Sequence, residues 1–386
     1  MNNASHLAFK EIWRNKGRFL LFSLVIALIT VLILFVAALG EGLGAGNREY
    51  LEKLDGELIV FQATARLSIP SSRLERDRLP QLRNIEGVQD VGPVGFSAAA
   101  IPLGGRSDLF DVSLIGVEPG LPGMPPVVDG QPLIRRTTDE VLIDSTVALV
   151  TDAKVGDWLL FRSIQGSDEE FYRLRVVGIT DSQKYSIRPS VFVPYVTWAR
   201  IRPQALVGSG LNDLSSHIMV VKLVDPAEID VVRQRIEARV SNVQAVDRRT
   251  AYENTPGYRE QQSTLQTQNG FALLIGLLVI GGFFQIQTLQ KVGQIGMLKA
   301  IGTPEVLIAS ALLIQIAIIN AVGVGLGGLA SLGLSFVFPA NVPIIFEPRS
   351  AAMAVGSILV MGPLGGLVSI RYSLGIEPLT ALGLSS

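Results

Sequence analysis

The chain has 386 residues, of which 48% are hydrophobic and only 17% are charged, against roughly 25% charged in an average soluble protein. It contains no cysteine, which excludes disulfides, thiolate metal sites and cysteine nucleophiles, and its two histidines are too few for a histidine-rich metal site. The formal net charge is −1 and no basic run is present, so the composition argues against nucleic-acid binding.

Charged residues are concentrated in the middle of the sequence. Residues 1–45 contain six charged side chains and residues 266–386 contain seven, whereas residues 46–265 have the ordinary charge density of a soluble domain. This distribution predicts a polar domain, 46–265, between two apolar regions, 1–45 and 266–386. Both apolar regions are expected to lie in a membrane.

Four segments without charged side chains match the length of a membrane span, which needs about 20 apolar residues to cross about 30 Å. They are 19–40, 271–290, 306–346 and 350–370. The third is too long for one span, and the prolines at 339–343 predict one long helix followed by a re-entering loop. The first run is longer than the apolar core of a signal peptide, which predicts a retained anchor.

Basic residues near the ends of the spans predict the orientation, because lysine and arginine favour cytoplasmic loops. Four spans place seven of them on one side, and Arg349 alone in the short loop opposite. We therefore expect both termini in the cytoplasm, residues 46–265 outside, and an interfacial helix over 5–16 that carries Trp13 at the membrane surface. The seven basic residues are Lys10, Arg14, Lys16, Arg18, Lys291, Lys299 and Arg371.

The polar domain has the patterns of a mixed α/β fold. Helices are predicted over 72–84 and 226–240, and the proline-rich stretch 119–132 is predicted to be a loop. Alternating or β-branched runs predict strands over 57–62, 112–117, 140–143, 158–162, 171–179, 191–193 and 218–224.

Two segments flank the second span and suit the transmission of movement. Residues 258–268 are polar and contain no helix breaker, so they predict a helical stalk that extends the span outward. Residues 290–304 are amphipathic and end at Gly302 and Pro304, which predicts a short cytoplasmic helix able to dock on a soluble partner.

The glycine patterns indicate close packing and give no indication of enzymatic chemistry. The run 40–46 follows a membrane helix rather than a strand, so it predicts a tightly packed or flexible helix exit and not a phosphate-binding loop. The pairs Gly323/Gly327 and Gly362/Gly366 have the spacing that lets membrane helices approach closely, within one chain or between two copies. No nucleotide-binding loop, nucleophile elbow or serine with a His/Asp set is present, so the chain is predicted to have no catalytic residues.

The segment 294–304, QIGMLKAIGTP, resembles the coupling helix of the MacB/FtsX-like, or type VII, ABC transporter permeases. Residues 7–18, the VGD and VVGI runs at 154–157 and 176–179, and EPLTAL at 377–382 are also similar to this family, in the same order. Gln294 departs from the glutamate usual at that position. The resemblance implies that nine residues couple this chain to a separate ATPase subunit. They are Gln294, Ile295, Gly296, Met297, Leu298, Lys299, Ala300, Ile301 and Gly302.

The resemblance implies a permease that works as two copies with two ATPase subunits, on which ATP and magnesium are bound. Residues 7–59 look closest to the haem-exporter permeases of the HrtB type, which makes haem a possible cargo, expelled from the outer leaflet. Haem needs an axial ligand and an apolar slot, and the candidates near the outer membrane boundary are Glu41, Tyr50 and Met353. His217 lies beside a predicted strand and is interpreted as structural.

Two other functions stay open. The chain could act, as FtsX-like relatives do, as a transmitter of force to an extracellular partner such as a cell-wall hydrolase, for which an exposed apolar patch on the outer domain would be the sign. It could also be a sensor or scaffold without cargo. A coupling helix that has no ATPase partner would indicate this function.

Overall fold

The computed structural model describes residues 13, 16–103, 109–204, 214–338 and 344–374. They belong to two compact units: a helical unit, Met1–Gly42 with Ser263–Ser386, and an α/β unit, Leu43–Gln262. Apart from the exposed Trp13, the predicted interfacial helix falls almost wholly outside the described residues. The proline break at 339–343 and the run 377–382 also lie outside them.

The described residues form ten α-helices and ten strands. The helices are α1 Lys16–Glu52, α2 Arg78–Arg83, α3 Ser145–Thr151, α4 Tyr195–Ile201, α5 Ile229–Arg239, α6 Arg248–Glu253, α7 Tyr258–Leu289, α8 Val292–Ala300, α9 Glu305–Ser335 and α10 Pro348–Leu374. The strands are β1 Leu58–Gln62, β2 Val88–Pro102, β3 Leu109–Val117, β4 Val127–Gly130, β5 Glu140–Asp144, β6 Trp158–Gln165, β7 Asp168–Thr180, β8 Ser190–Pro194, β9 Ile218–Leu223 and β10 Val243–Asp247.

Four helices, α1, α7, α9 and α10, are long and apolar enough to cross a membrane, which confirms the four predicted spans. The predicted stalk is also helical, because α7 begins at Tyr258. The expectation that the first helix ends at the glycine run is wrong, since α1 continues unbroken to Glu52. Part of the run is closely packed: a Cβ added to Gly46 would lie 3.1 Å from the Cα of Ile187, within the α/β unit.

Both predicted glycine pairs are used for packing within the chain. A Cβ on Gly323 would lie 2.6 Å from Ile26 Cβ, and one on Gly327 would lie 2.6 Å from the carbonyl oxygen of Ala27, so these two glycines hold α9 directly against α1. The second pair, Gly362 and Gly366, lies in α10 against Asn320 and Ile316 of α9. In lipid, such close approach supplies the packing that the hydrophobic effect supplies in water.

A polar contact supports α10 where it contains a proline. Pro363 has no amide hydrogen to donate to the carbonyl of Leu359, four residues earlier in the helix. Asn320 of α9 donates from Nδ2 to the carbonyl oxygens of Leu359 and Ile358, both at 3.0 Å. A neighbouring helix therefore satisfies the carbonyl that the proline leaves without a partner, as a bilayer requires.

The α/β unit is built on a mixed sheet with the order β10-β1-β9-β2-β3-β8-β5-β7-β4. The β3–β8 and β5–β7 pairs are parallel, and β6 pairs with both β7 and β2, which closes a ring of six paired strands. All seven predicted strands are present, and the helix predicted over 226–240 is confirmed as a 3₁₀ turn followed by α5. Apolar side chains on both faces of the sheet form the core.

Two predictions in this unit are wrong in part. Residues 72–84 are helical only over α2, because Leu74 exchanges two backbone hydrogen bonds with Ser216 and is therefore extended. The stretch 119–132 is a loop up to β4, which pairs antiparallel with β7. The sequence patterns also missed β2, β10 and the short helices α3, α4 and α6.

Candidate coupling segment and ligand positions

The predicted coupling segment is the short helix α8, which lies between the spans α7 and α9 in the chain. Its C-terminus is fixed by two backbone hydrogen bonds of 3.0 Å, from Thr303 N to Leu298 O and from Gly302 N to Lys299 O. Gly302 adopts a φ of +84°, the left-handed conformation that ends a helix in this way and favours glycine. The next helix starts directly after Pro304, so the turn has little freedom.

The helix α8 has one exposed and one buried face. Ile295 and Gly296 are buried against the helical unit, whereas Met297 and Ile301 expose 59% and 74% of their surface. Gln294, Ala300 and Gly302 are exposed as well, and Leu298 and Lys299 are half-buried. Among the nine residues assigned by resemblance, the exposed Met297 and Ile301 therefore form an outward apolar ridge, and the buried Ile295 and Gly296 form the inward face that holds this ridge in place.

Lys299 contacts this unit rather than pointing freely outward. Its Nζ lies 2.7 Å from Glu305 Oε1 at the start of α9, so the ion pair bridges the turn between the two helices. Substitutions at Gly296 or Lys299 would therefore disturb the seating of α8 as well as any surface for a partner.

A buried lysine at the start of α8 was missed by the sequence reasoning. Lys291 is only 7% exposed; its Nζ donates to Oε1 of Gln315 in α9 at 2.7 Å and lies 5.6 Å from the centre of the Phe19 ring in α1. A buried charge in a membrane protein is costly and is retained where it has partners and a role. The sequence feature that could have predicted this contact is a lysine at the end of one span together with a glutamine inside the next span.

The three candidate cargo ligands are not brought together within either unit. Tyr50 is 2% exposed in the core of the α/β unit, where its hydroxyl donates to the carbonyl of Gly123 at 3.3 Å and burial raises its pKa. This placement does not support a ligand role for Tyr50. Glu41 is half-buried on α1, and Met353 is exposed on α10.

A crevice between α1 and the start of α10 lies close to Glu41 in sequence. It is lined by Ala38, Glu347 and Ser350 among others, and its volume is about 10 Å³. That volume is far too small for an apolar slot that holds a porphyrin. Within the described part of the helical unit, this crevice therefore does not form a haem site by itself.

The last turns of α1 are held by the loop between β7 and β8, inside the α/β unit. Ile187 N donates to the carbonyl of Gly46 at 3.0 Å, and Tyr50 N donates to the carbonyl of Lys184 at 3.1 Å. Lys53 Nζ lies 2.9 Å from Asp181 Oδ2, and this hydrogen bond lowers the pKa of Asp181. We call residues 181–188 the strap.

Asp144 fixes the start of β8, two residues after the strap. Its carboxylate accepts hydrogen bonds from Val147 N at 2.8 Å, as the N-cap of α3, and from Ser190 N at 3.0 Å, at the start of β8. The carboxyl group is fully buried, and this burial raises its pKa to about 6. The strap is therefore joined to the sheet on one side and to α1 on the other.

Comparison with known proteins gives matches along almost the whole chain. A MacB-like periplasmic core domain matches residues 19–239, and an FtsX-like permease C-terminal domain matches residues 269–378. A protein of Staphylococcus haemolyticus named "Putative hemin transport system permease protein HrtB" is 24% identical over 378 residues, which are 98% of this chain and 99% of that protein. An uncharacterized ABC transporter permease of Mycobacterium tuberculosis is 24% identical over 384 residues, 97% of this chain and 98% of that protein.

Among solved structures, the periplasmic region of MacB from Actinobacillus actinomycetemcomitans is similar, with 16% identity and a TM-score of 0.36. The match covers 54% of this chain and 98% of that one. The MacB-like core domain alone takes in more than half of this chain, and the FtsX-like domain covers three of its four spans. With four spans and an extracytoplasmic α/β domain between the first two, the chain belongs to the MacB/FtsX-like family of ABC transporter permeases.

Proposed function

We propose that this chain couples ATP hydrolysis on a separate ATPase subunit to the expulsion of an amphipathic molecule from the outer leaflet. The observation that carries the proposal is the apolar ridge of α8. Met297 and Ile301 are exposed on a helix whose opposite face is buried and whose C-terminus is fixed. A rigid short helix with two exposed apolar side chains suits a groove on a protein partner better than it suits water.

Movement at the ridge has a physical route into the spans. Lys291 and Lys299 connect the two ends of α8 to α9 through Gln315 and Glu305, and Phe19 of α1 lies beside Lys291. Coupling between distant sites needs such contiguous packed contacts and an element with two arrangements. In this proposal the ATPase moves α8, and the spans carry the movement onward.

The proposed assembly has two copies of the chain and two ATPase subunits, with both termini and α8 in the cytoplasm. Haem is the first cargo to test, because relatives that match over the full length are named hemin transport permeases. ATP and magnesium are bound on the ATPase in this proposal, and the present chain contributes no catalytic residue.

The second candidate function is an FtsX-like transmitter that regulates an extracellular partner. The match of residues 269–378 to an FtsX-like permease domain favours it. Haem titration of the chain with its co-purified ATPase, followed by the Soret absorbance, separates the two. Saturable binding that Glu41→Ala weakens supports haem export, whereas the absence of saturable binding shifts the proposal to another lipophilic cargo or to the transmitter function.

The ridge is tested with Ile301→Asp in proteoliposomes that contain the ATPase. We expect the ATPase to co-purify poorly and its stimulation to fall at least about tenfold, because a charge replaces an apolar contact at the centre of the interface. The control is Val224→Asp, which changes a valine that is 71% exposed on the α/β unit. Unchanged coupling in Ile301→Asp would show that α8 is not the coupling helix.

A further inference from the structure

The α/β unit contains a cavity that none of the functions above uses. Its volume is about 340 Å³, within the range of small-molecule sites. The turn at Pro70–Arg73 forms one wall, the strap forms another, and Ser97, Ala98 and Ser113 of β2 and β3 form the floor. These three small side chains leave the width of the cavity open above the sheet.

Aromatic rings line one side of the cavity. The rings of Phe96 and Tyr185 are in contact, with centroids 4.6 Å apart, and the His217 ring meets Phe96 edge-on at 6.1 Å. Burial raises the pKa of Tyr185, so its phenol stays neutral. His217 is held by a hydrogen bond from Phe96 N to its Nδ1 at 3.1 Å, which places the proton of the neutral ring on Nε2.

Among the described residues that line the cavity, the charged side chains are two arginines and none is acidic. Arg73 is held by donating from Nη1 to the carbonyl oxygens of Pro70 at 3.0 Å and Ser72 at 2.7 Å. Arg188 pairs with Asp111 at 3.4 Å, but both side chains are about half exposed, so an exchange for a bound anion costs little. The planar guanidinium group suits carboxylate and phosphate ligands.

The strap carries backbone strain beside this cavity. Ser186 and Ile187 both adopt positive φ angles, of 53° and 67°. This conformation is costly for a β-branched side chain and persists where surrounding contacts impose it, often at ligand sites. Here Ile187 N is bonded to the carbonyl of Gly46, and Tyr185 and Arg188 form a bridge around the strained pair.

We infer that this cavity binds a planar aromatic molecule that carries one or two acidic groups. Its rings lie against Phe96 and Tyr185, and its anionic groups are bound by Arg73 and Arg188. The inference does not depend on the proposed coupling to an ATPase. Because the strap forms one wall and is bonded to the end of α1, a bound molecule would contact the segment that holds this helix.

The inference is tested by isothermal titration calorimetry of the full chain in dodecyl maltoside, with naphthalene-2,6-dicarboxylate as the probe. We expect saturable binding of one molecule per chain. Cyclohexane-1,4-dicarboxylate keeps both carboxylates but lacks the aromatic rings, and it should bind at least about tenfold more weakly. Equal affinity for the two probes, or no saturable heat with the first, would overturn the inference.

Variants locate the site. Arg73→Gln and Arg188→Gln should each weaken binding about tenfold, which corresponds to loss of one charge-assisted hydrogen bond. Ala98→Phe, at an exposed position of the floor, should abolish binding by filling the cavity. Arg249→Gln, which changes an exposed arginine of α6, is the matched control and should leave the affinity unchanged. Unaltered binding in Ala98→Phe, or equal losses in all the arginine variants, would place the probe elsewhere.

Discussion

Asn320 illustrates how much one polar side chain can do between membrane helices. It donates two hydrogen bonds to carbonyls of α10 at the point where Pro363 interrupts the helical pattern. An asparagine in lipid is tolerated when it has such partners, and a proline is tolerated when its freed carbonyl has one. Asn320 therefore allows the helix to accommodate Pro363.

We expect Asn320→Leu to lower the free energy of unfolding by about 1 kcal/mol, the size of such interhelical hydrogen bonds. The measurement is unfolding in mixed detergent micelles. In a Pro363→Ala background the loss should be smaller, because residue 363 then donates its own amide to Leu359. The same loss in both backgrounds would show that Asn320 acts by packing alone.

The buried carboxyl group of Asp144 makes stability depend on pH. Its pKa is about 6 in the folded chain because burial disfavours the charged form, and it returns to about 3.9 on unfolding. The folded state therefore binds the proton more tightly, and this contribution to stability is lost as the pH rises from about 4 to about 6. The difference is about 3 kcal/mol, from two pKa units.

Comparison of the unfolding of the natural chain and Asp144→Asn between pH 4 and pH 8 isolates this effect. The free energy of unfolding of the natural chain minus that of Asp144→Asn should fall as the pH rises from about 4 to about 6, and it should be constant above about 7. A difference that is flat throughout, or that rises with pH, would contradict the assigned pKa.

Single residues were the hardest to predict from sequence. Tyr50 follows a membrane span, which predicts a position near the outer membrane boundary, and the sequence gives no sign that its ring packs against Phe96 and Phe192 in the α/β core. The sequence predicts Lys291 among the basic residues on the cytoplasmic side, and it gives no sign that this lysine is buried against Gln315. Both outcomes depend on contacts between residues far apart in the chain, which local patterns do not encode.

At the scale of an element, glycine determines how closely the helices in the helical unit approach each other. Gly327 faces α1, and a Cβ there would lie 2.6 Å from both the carbonyl oxygen of Ala27 and Thr30 Cβ. Gly328 is next in sequence, and nothing lies within 4 Å of a Cβ at that position. The two residues form a matched pair on one helix.

We expect Gly327→Ala to lower the free energy of unfolding by about 1–3 kcal/mol, because α9 must move away from α1. Gly328→Ala should be neutral or stabilising, since alanine favours a helix over glycine by up to about 1 kcal/mol. Unfolding in mixed micelles measures both. Equal effects at the two positions would mean that the contact between α9 and α1 is not tightly packed.

Elements were predicted well where the pattern was local and strong. The spans were predicted because about 20 residues without charge have few other uses. The strand β2 was missed because its sequence contains two glycines and two prolines, which are unfavourable in strands. One of those glycines is explained by packing: a Cβ on Gly95 would lie 2.6 Å from the Trp198 ring, so tertiary contact overrides the local preference.

At the scale of the whole molecule, the orientation is the prediction most directly open to experiment. The natural chain has no cysteine, so a single introduced thiol reports without background. With a membrane-impermeant maleimide, Glu169→Cys in the β6–β7 hairpin should be labelled in intact spheroplasts. Gln294→Cys on α8 should be labelled only after the membrane is permeabilised. The reverse pattern would invert the proposed topology.

The use of both glycine pairs within one chain also bears on the assembly. Gly323 and Gly327 are covered by α1, and Gly362 and Gly366 are covered by α9. A seam between two copies therefore cannot use these faces without unpacking the helical unit. Apolar side chains that remain exposed on α1, such as Leu24, Leu28 and Leu32, are available to lipid or to a second copy.

The hydrogen bond from Asn320 to the Leu359 carbonyl, which has no amide partner at Pro363, sets an order in which the asparagine and the proline could be lost during evolution. A lineage that first replaces the proline restores the backbone bond of α10 and afterwards can lose the asparagine at small cost. A lineage that first replaces the asparagine passes through an intermediate with a carbonyl unpaired in the membrane. Among relatives, asparagine without proline should therefore be a common pairing, and proline without a donor on the facing helix a rare one.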